Sequence, residues 1–530
     1  MLAETLQNLS IPQQKNIIFV SPEPSKWPLL LAENKLVTGS ISKRLESRRE
    51  LLRIARDYTL RVLGSSCKTD TLENVIATGH QAIWHHCGIW AKSLAACEFA
   101  KAVNGRSLHL VLDHDICDTA MVLPKQNLDG SWHSEKIEIE PEQKAVALEF
   151  RRPPHENHIR SFVDAVTKAR PGQLCDDIWS ERVVLNARKI SHFSSIAELI
   201  THFQSVLNAA LGLDIMYLPV SKLSESDAFI DFVLSIMLDA PSFAAAYNDA
   251  VTKLINELRI NQRDAVQRLK LDKTAGLTEL PFWLNLPNGK RTSLYVVSIK
   301  TDKIRIGTAS TTLGKLDSAS LSGKANQLKN MLQQSNYYLR PKAVSLTLFV
   351  RLFLADWFVH GIGGSLYEPV TDYIIENYYR IKPLRFGVAT CTVTLPLPNT
   401  IASPTDNISQ LKHELHNIRH NPEKYVDESV RAEEPVVSLL EAKREKIAQA
   451  KDRSLPASLR KSAWSSLLRI NQSLSEYARD AAITVQKKIA EFEKNKISQE
   501  VCNYREYFFG LFPESRLRKL AKSLTFTKPE

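Results

Sequence analysis

The stretch NVIATGHQAIWHHCGIWAKSLAACEFAKAVNGRSLHLVLDHD, residues 74–115, decides the fold class. Asn74-Val75-Ile76-Ala77-Thr78 is apolar and partly β-branched, which predicts a short buried strand. Gly79-His80-Gln81 reads as a turn, and a helical pattern runs on through Ile89, Leu94, Cys97 and Ala100. Asn104-Gly105 is a helix stop signal. Leu108 to Leu112 is a second buried strand, running directly into Asp113-His114-Asp115. Strand, helix and strand make a βαβ unit whose crossover sets the two strands parallel, so the expected class is α/β.

Working outward, residues 293–299 (SLYVVSI) and 386–396 (FGVATCTVTLP) read as further strands, the first with 303–307 as hairpin partner. Residues 151–285 are mostly helical, as in 196–211 and 242–259, and read as an insertion or cap. After about residue 403 the helices carry few glycines, and 457–497 predicts one helix of roughly 60 Å at ~1.5 Å per residue. Its apolar stripe is Leu467, Ile470, Leu474, Tyr477, Ala481, Val485, Ile489 and Phe492. With 436–450 folding back across Ser454-Leu455-Pro456, this predicts an antiparallel coiled-coil arm and, through it, a homodimer. The expected division is 1–150 and 286–402 as two parts of the core, 151–285 the insertion, 403–505 the arm and 506–530 a basic C-terminal helix.

With 44% hydrophobic and 24% charged residues in 530, and only 18 Gly and 24 Pro, the chain is neither disordered nor collagen-like. Its seven cysteines (67, 87, 97, 117, 175, 391 and 502) are odd in number and form no CxxC, which points to a reducing compartment, the cytoplasm. The N-terminus has no secretory-signal pattern, and the apolar stretch 344–363 is broken by Arg351, Asp356 and His360, so no membrane span is expected. The net charge of +11 suits anionic partners. Residues 441–530 hold 19 Lys and Arg against 11 Asp and Glu, yet their aromatics are not interleaved with the basic residues as a stacking platform, which argues against nucleic acid.

The candidate chemistry lies at two strand ends, where open α/β sheets bind ligands. Thr78, Gly79, His80 and Gln81 follow one strand, and His80 and Gln81 are expected at a helix N-terminus able to hold phosphate or carboxylate. Asp113, His114 and Asp115 follow the other, with carboxylates to hold an amine or hydroxyl and an imidazole to move protons. His85, His86 and Cys87 invite a metal reading with His80, His114 and Cys117, but the familiar zinc spacings are absent and no metal is expected. A third cluster joins Arg340, able to fork onto a carboxylate or phosphate, to Gly363-Gly364 and to Glu368 and Asp372, four apart. Ser322-Gly323-Lys324 is no phosphate loop.

Together TGHQ, the helical lysines Lys92 and Lys101, the strand end DHD, the segment SNYYLRP (335–341), Gly363-Gly364 and the late LFP (511–513) resemble the bacillithiol synthase family of cysteine ligases. The resemblance runs along the whole chain in short stretches. It implies a Rossmann-like core related to nucleotidyltransferases and a dimerising coiled coil. The implied activity joins cysteine, through its carboxyl group, to the amine of glucosaminyl-malate. Carried onto this chain, Gly79, His80 and Gln81, with Thr78 and Lys92, would hold an anionic substrate or nucleotide. Asp113, His114 and Asp115 would hold the amine or ribose hydroxyls and move protons. Arg340 would neutralise a carboxylate such as malate, and Gly363, Gly364 and Glu368 would wall the cleft. The departures fall in the same places: His80 stands where the family has Gln, Leu112 where it has Glu, and no Asp follows Arg340-Pro341. Two other readings are nucleotide-dependent adenylyl or aminoacyl transfer to another small molecule, and a catalytically inert dimeric scaffold or nucleic-acid binder.

Overall fold

The computed structural model describes residues 11–64, 74–140, 145–169, 193–258, 266–272, 274–299, 303–317, 323–398 and 408–526. Cys67, Cys175, Arg259 and Ser322 lie outside them. The chain divides into two units, one of residues 1–123, 135–396 and 504–530, the other of 124–134 and 397–503.

The larger unit is built on a six-stranded sheet, and the fold is α/β, as expected. In spatial order its strands are Ile18–Ser21, Gly387–Cys391, Trp357–His360, Val75–Gln81, Arg106–Leu112 and Ile215–Pro219. The last five are mutually parallel and only the edge strand Ile18–Ser21 is antiparallel. Val75, Ile76, Ala77 and Thr78 are fully buried, which suits a central strand covered on both faces. The helix Cys87–Ala102 carries the crossover and is apolar nearly all round. At its end Asn104 takes the left-handed conformation (φ 52) while the Gly105 N–H reaches back to Ala100 O. Gly105 is needed for a different reason: a Cβ there would sit 2.2 Å from Asn74 O, where the chain re-enters the sheet.

From Val75–Gln81 the chain steps to one side for Arg106–Leu112 and Ile215–Pro219, and later to the other for Trp357–His360 and Gly387–Cys391. Connections leaving the carboxyl ends therefore diverge beside Val75–Gln81, the place where such sheets bind ligands.

Three expectations about organisation are corrected. The block 151–285 is no separate cap, because it supplies the edge strand Ile215–Pro219, a five-residue buried run too short to stand out among helices. The stretch 291–341 joins an antiparallel sheet of its own, ordered Thr312–Asp317, Lys303–Gly307, Arg291–Ile299, Leu277–Asn285 and Tyr338–Pro341. The expected hairpin is present, with Ile304 opposite Ser298. A tight turn at Gly289 (φ 87) dictates antiparallel neighbours and keeps these strands out of the parallel sheet. Among the described residues of the stretch 286–402, only Trp357–His360 and Gly387–Cys391 enter that sheet.

The third concerns the smaller unit, whose longest expected helix is two, Ala457–Tyr477 and Arg479–Asn503, separated at Ala478. Glu434–Lys451 packs on the first and Ile408–His420 on the second, so the break lets each half meet its own partner. Leu474, Ala478 and Val485 form a core with Leu411, Ile418 and Val436, with Ile470, Ala481 and Ile489 against it. The stripe through which dimerisation is expected is thus largely covered within the chain itself.

The segment 504–526 returns to the larger unit. Phe508 meets Trp84 edge-on, Phe509 stacks on Trp90, and the expected C-terminal helix is Glu514–Lys522. Among the described residues no single helix is long and apolar enough to cross a membrane.

Candidate functional site

A cavity of about 540 Å³ lies at the carboxyl ends of the central strands. Gln81 closes one strand, while His114 and Asp115 follow the next. Facing them are Glu279, Trp283 and Arg291 of the antiparallel sheet and the segment from Pro341 to Leu346. Asp115 is a third exposed and accepts from Gln81 Nε2 at 3.2 Å and from Arg291 at 3.5 Å. Trp283 is flanked by two cations, the Arg291 guanidinium 4.6 Å and the Lys342 ammonium 4.2 Å from its ring centre. Lys342 also donates to Glu279 at 2.8 Å and to Ser293 at 3.0 Å. Burial lowers its pKa, against the pull of Glu279. Arg268, exposed at the rim, has no ion pair or hydrogen bond among the described residues.

His114 is buried, and its Nδ1 has no hydrogen-bond partner. Burial brings its pKa down to about 4, partly opposed by Asp115, so at neutral pH it is an uncharged imidazole able to accept. Three cations (Arg268, Arg291 and Lys342) thus face two carboxylates (Asp115 and Glu279) across the cleft. The balance favours an anionic ligand that also offers an amine or hydroxyl to Asp115.

The structure gathers only Gln81, His114 and Asp115 of the expected site residues around this cleft. TGHQ is not a turn: the strand pairs through His80 opposite Val111 and Gln81 opposite Leu112, held by an equally long neighbour. A Cβ on Gly79 would lie 2.9 Å from Leu110 Cβ, so glycine is required by strand packing. The following helix starts only at Cys87, so His80 and Gln81 are not at its N-terminus. Thr78 spends its hydroxyl on Val359 O at 2.8 Å, stapling two central strands.

His80 lies on the other strand face from Gln81, its ring centre 5.2 Å from that of His85, which is 5.5 Å from His109. Burial, then the nearby Lys92 charge, holds the His80 pKa well below its ordinary value, and its Nδ1 is unpartnered. Lys92 is buried, donates to Gly79 O at 2.8 Å and has its pKa brought to about 7 by burial. Asp113 accepts from Ser221 N at 2.9 Å and from the Ser221 hydroxyl, capping the helix Val220–Glu225. Its carboxyl is raised to about 7, first by burial and then by Glu149.

Two further expectations fail because charges are already matched. Arg340 is 2% exposed and grips Glu149 through Nε at 3.0 and 3.1 Å and Nη2 at 2.5 Å, so it is not free for a substrate carboxylate. Glu368 and Asp372 do share a helix face, as their spacing predicts, but both bind buried Arg351. Gly363 and Gly364 are exposed beyond the strand Trp357–His360 and do not line the cleft.

A phosphate cradle after Val75–Gln81 is not formed either. Ile83 N donates to Gln81 O, Gly88 N to His86 Nδ1, and Ile89 N and Trp90 N to His86 O. These four amides are closed off by the protein and offer nothing to a phosphate. No group of three or more His, Cys, Asp or Glu among the described residues is placed to hold a metal.

Sequence reading missed Arg268, Glu279, Trp283, Arg291 and Lys342. They sit on an antiparallel sheet and its flanks, without motif spacing. The one available signal was Lys342, directly after Arg340-Pro341. No family model matches the chain, and no curated protein matches it.

Proposed function

We propose that the chain is a carbon–nitrogen ligase, joining cysteine to the amine of an acidic amino-sugar conjugate such as glucosaminyl-malate in the 540 Å³ cleft. The observation that carries this reading is the excess of cations around Asp115 and His114, with Arg268 unmatched among the described residues. Malate-type carboxylates fit Arg268, Arg291 and Lys342, taking over the role first assigned to Arg340. A substrate ammonium fits Asp115.

In the bond-forming step the substrate ammonium gives up two protons in all, its nitrogen attacks the cysteine carboxyl carbon, the carbon–nitrogen bond forms as one carbon–oxygen bond breaks, and the departing carboxyl oxygen takes up those two protons and leaves as water. Asp115 and the neutral His114 accept hydrogen bonds from that nitrogen and orient it. Arg291 and Lys342 oppose the negative charge developing on oxygen. No step is routed through a nucleotide: the amides of Ile83, Gly88, Ile89 and Trp90 after Val75–Gln81 are already bonded within the protein.

The sheet order supports a Rossmann-like core, since the parallel strands run 3-2-1-4-5 when numbered along the chain. We read Glu434–Lys451 and Ala457–Tyr477 as an antiparallel coiled-coil arm, and the cytoplasm as the compartment.

Calorimetric titration with malate and with glucosaminyl-malate tests the cleft. The conjugate should bind more tightly than malate, and Arg268→Ala with Arg291→Ala should weaken both at least ~10-fold, about 1.4 kcal/mol. Unchanged affinity in that variant would remove the reading.

A further inference from the structure

The Tyr337-Tyr338 pair, which the proposed chemistry does not use, opens onto a second cavity of about 460 Å³. Arg340 lines it, while the next residue, Pro341, lines the cleft. Its charges are already matched. Arg340 is held by Glu149, Lys329 binds Asp227 at 2.5 Å, and Glu225 lies 3.1 Å from Lys222 and 3.5 Å from Arg340. A charged ligand would have to break one of these pairs, with nothing to offset the desolvation.

The groups left without a hydrogen-bond partner among the described residues are neutral: the Tyr337 and Tyr338 hydroxyls and the side-chain amides of Gln333 and Asn336. Each can both donate and accept. Ile230, Leu332 and Leu339 add an apolar wall beside them. Hydroxyl-matching groups beside aromatic and aliphatic surface are complementary to a molecule with a C–H face and a rim of hydroxyls. We propose that this cavity binds a neutral polyhydroxylated small molecule, a sugar or cyclic polyol, at a site separate from the anion-binding cleft.

Saturation-transfer NMR on the full chain, with D-glucose and myo-inositol as probes and glycine and malate as charged controls, tests this. One or both neutral probes should bind saturably, without displacing malate, and Gln333→Ala with Tyr337→Phe should weaken them at least ~10-fold while malate binding is unchanged. Should that variant melt early, Gln333→Ala alone, at an exposed helix position, should still weaken them measurably. Absence of saturable binding by both neutral probes, undiminished binding in the variants, or displacement of the neutral probe by glycine would overturn the proposal. The cleft reading stands or falls separately, on the malate titration.

Discussion

Arg351→Leu is expected to destabilise the larger unit by about 3–5 kcal/mol, a large share of the ~5–15 kcal/mol that holds a typical domain folded. Arg351 is 2% exposed and bonds Glu368, Asp372 at 2.7 Å and the Leu384 carbonyl. Its removal strands two buried carboxylates, leaving Glu368 only the neutral hydroxyls of Thr347 and Thr371. Burial already raises both carboxyl pKa values, and Arg351 is what opposes that rise. The triple change Arg351→Leu, Glu368→Gln, Asp372→Asn should recover much of the loss, because the stranded charge is gone. Urea unfolding midpoints at unchanged slope measure both. Equal midpoints for wild type and Arg351→Leu would show that the network contributes nothing.

The second large effect is acid lability. Burial lowers the pKa of His86 and His114 to about 4 and of His85 to about 3, and holds His80, His109 and His360 well below the ordinary value. All titrate near 6.5 once unfolded, so between about pH 6.5 and 4 the unfolded chain binds more protons, and stability is lost as pH falls. A shift from 6.5 to about 4 corresponds to at most roughly 3 kcal/mol per histidine. Asp113 acts in the opposite sense: its folded pKa of about 7 makes stability fall as pH rises through 4 to 7. The buried Glu368 and Asp372 share that sense. Six histidines outweigh these groups, so Tm measured at constant ionic strength should drop steeply below pH 6.5. A flat Tm down to pH 4.5 would contradict this account.

The fold class was legible because residues 74–115 hold both strands, the crossover and its stop signal in one window. The edge strand Ile215–Pro219 was not, since five buried residues carry no period that separates strand from helix. The break at Ala478 was hidden for another reason. Alanine is a good helix former, and only the competing partners of the two halves explain the interruption. In the folded chain DHD places His114 and Asp115 at the cleft, while Asp113 bonds Ser221 in the first turn of the helix Val220–Glu225. Arg340 and Glu368 have the residue types a ligand site needs, but their partners Glu149 and Arg351 lie 191 and 17 residues away, out of reach of any local pattern. The cations that do face the cleft come from a second sheet and its flanking segments, whose position depends on long-range pairing. Only the assembled chain brings Arg291 within reach of Asp115.

The most direct measurement of the central claim is a thiol profile, by fluorescent labelling and mass spectrometry, of cells with the gene, without it, and complemented with Asp115→Asn. The ligase reading predicts a cysteine thiol linked to an amino sugar that disappears on deletion, returns with the wild-type gene and does not return with the variant. An unchanged profile on deletion would contradict it.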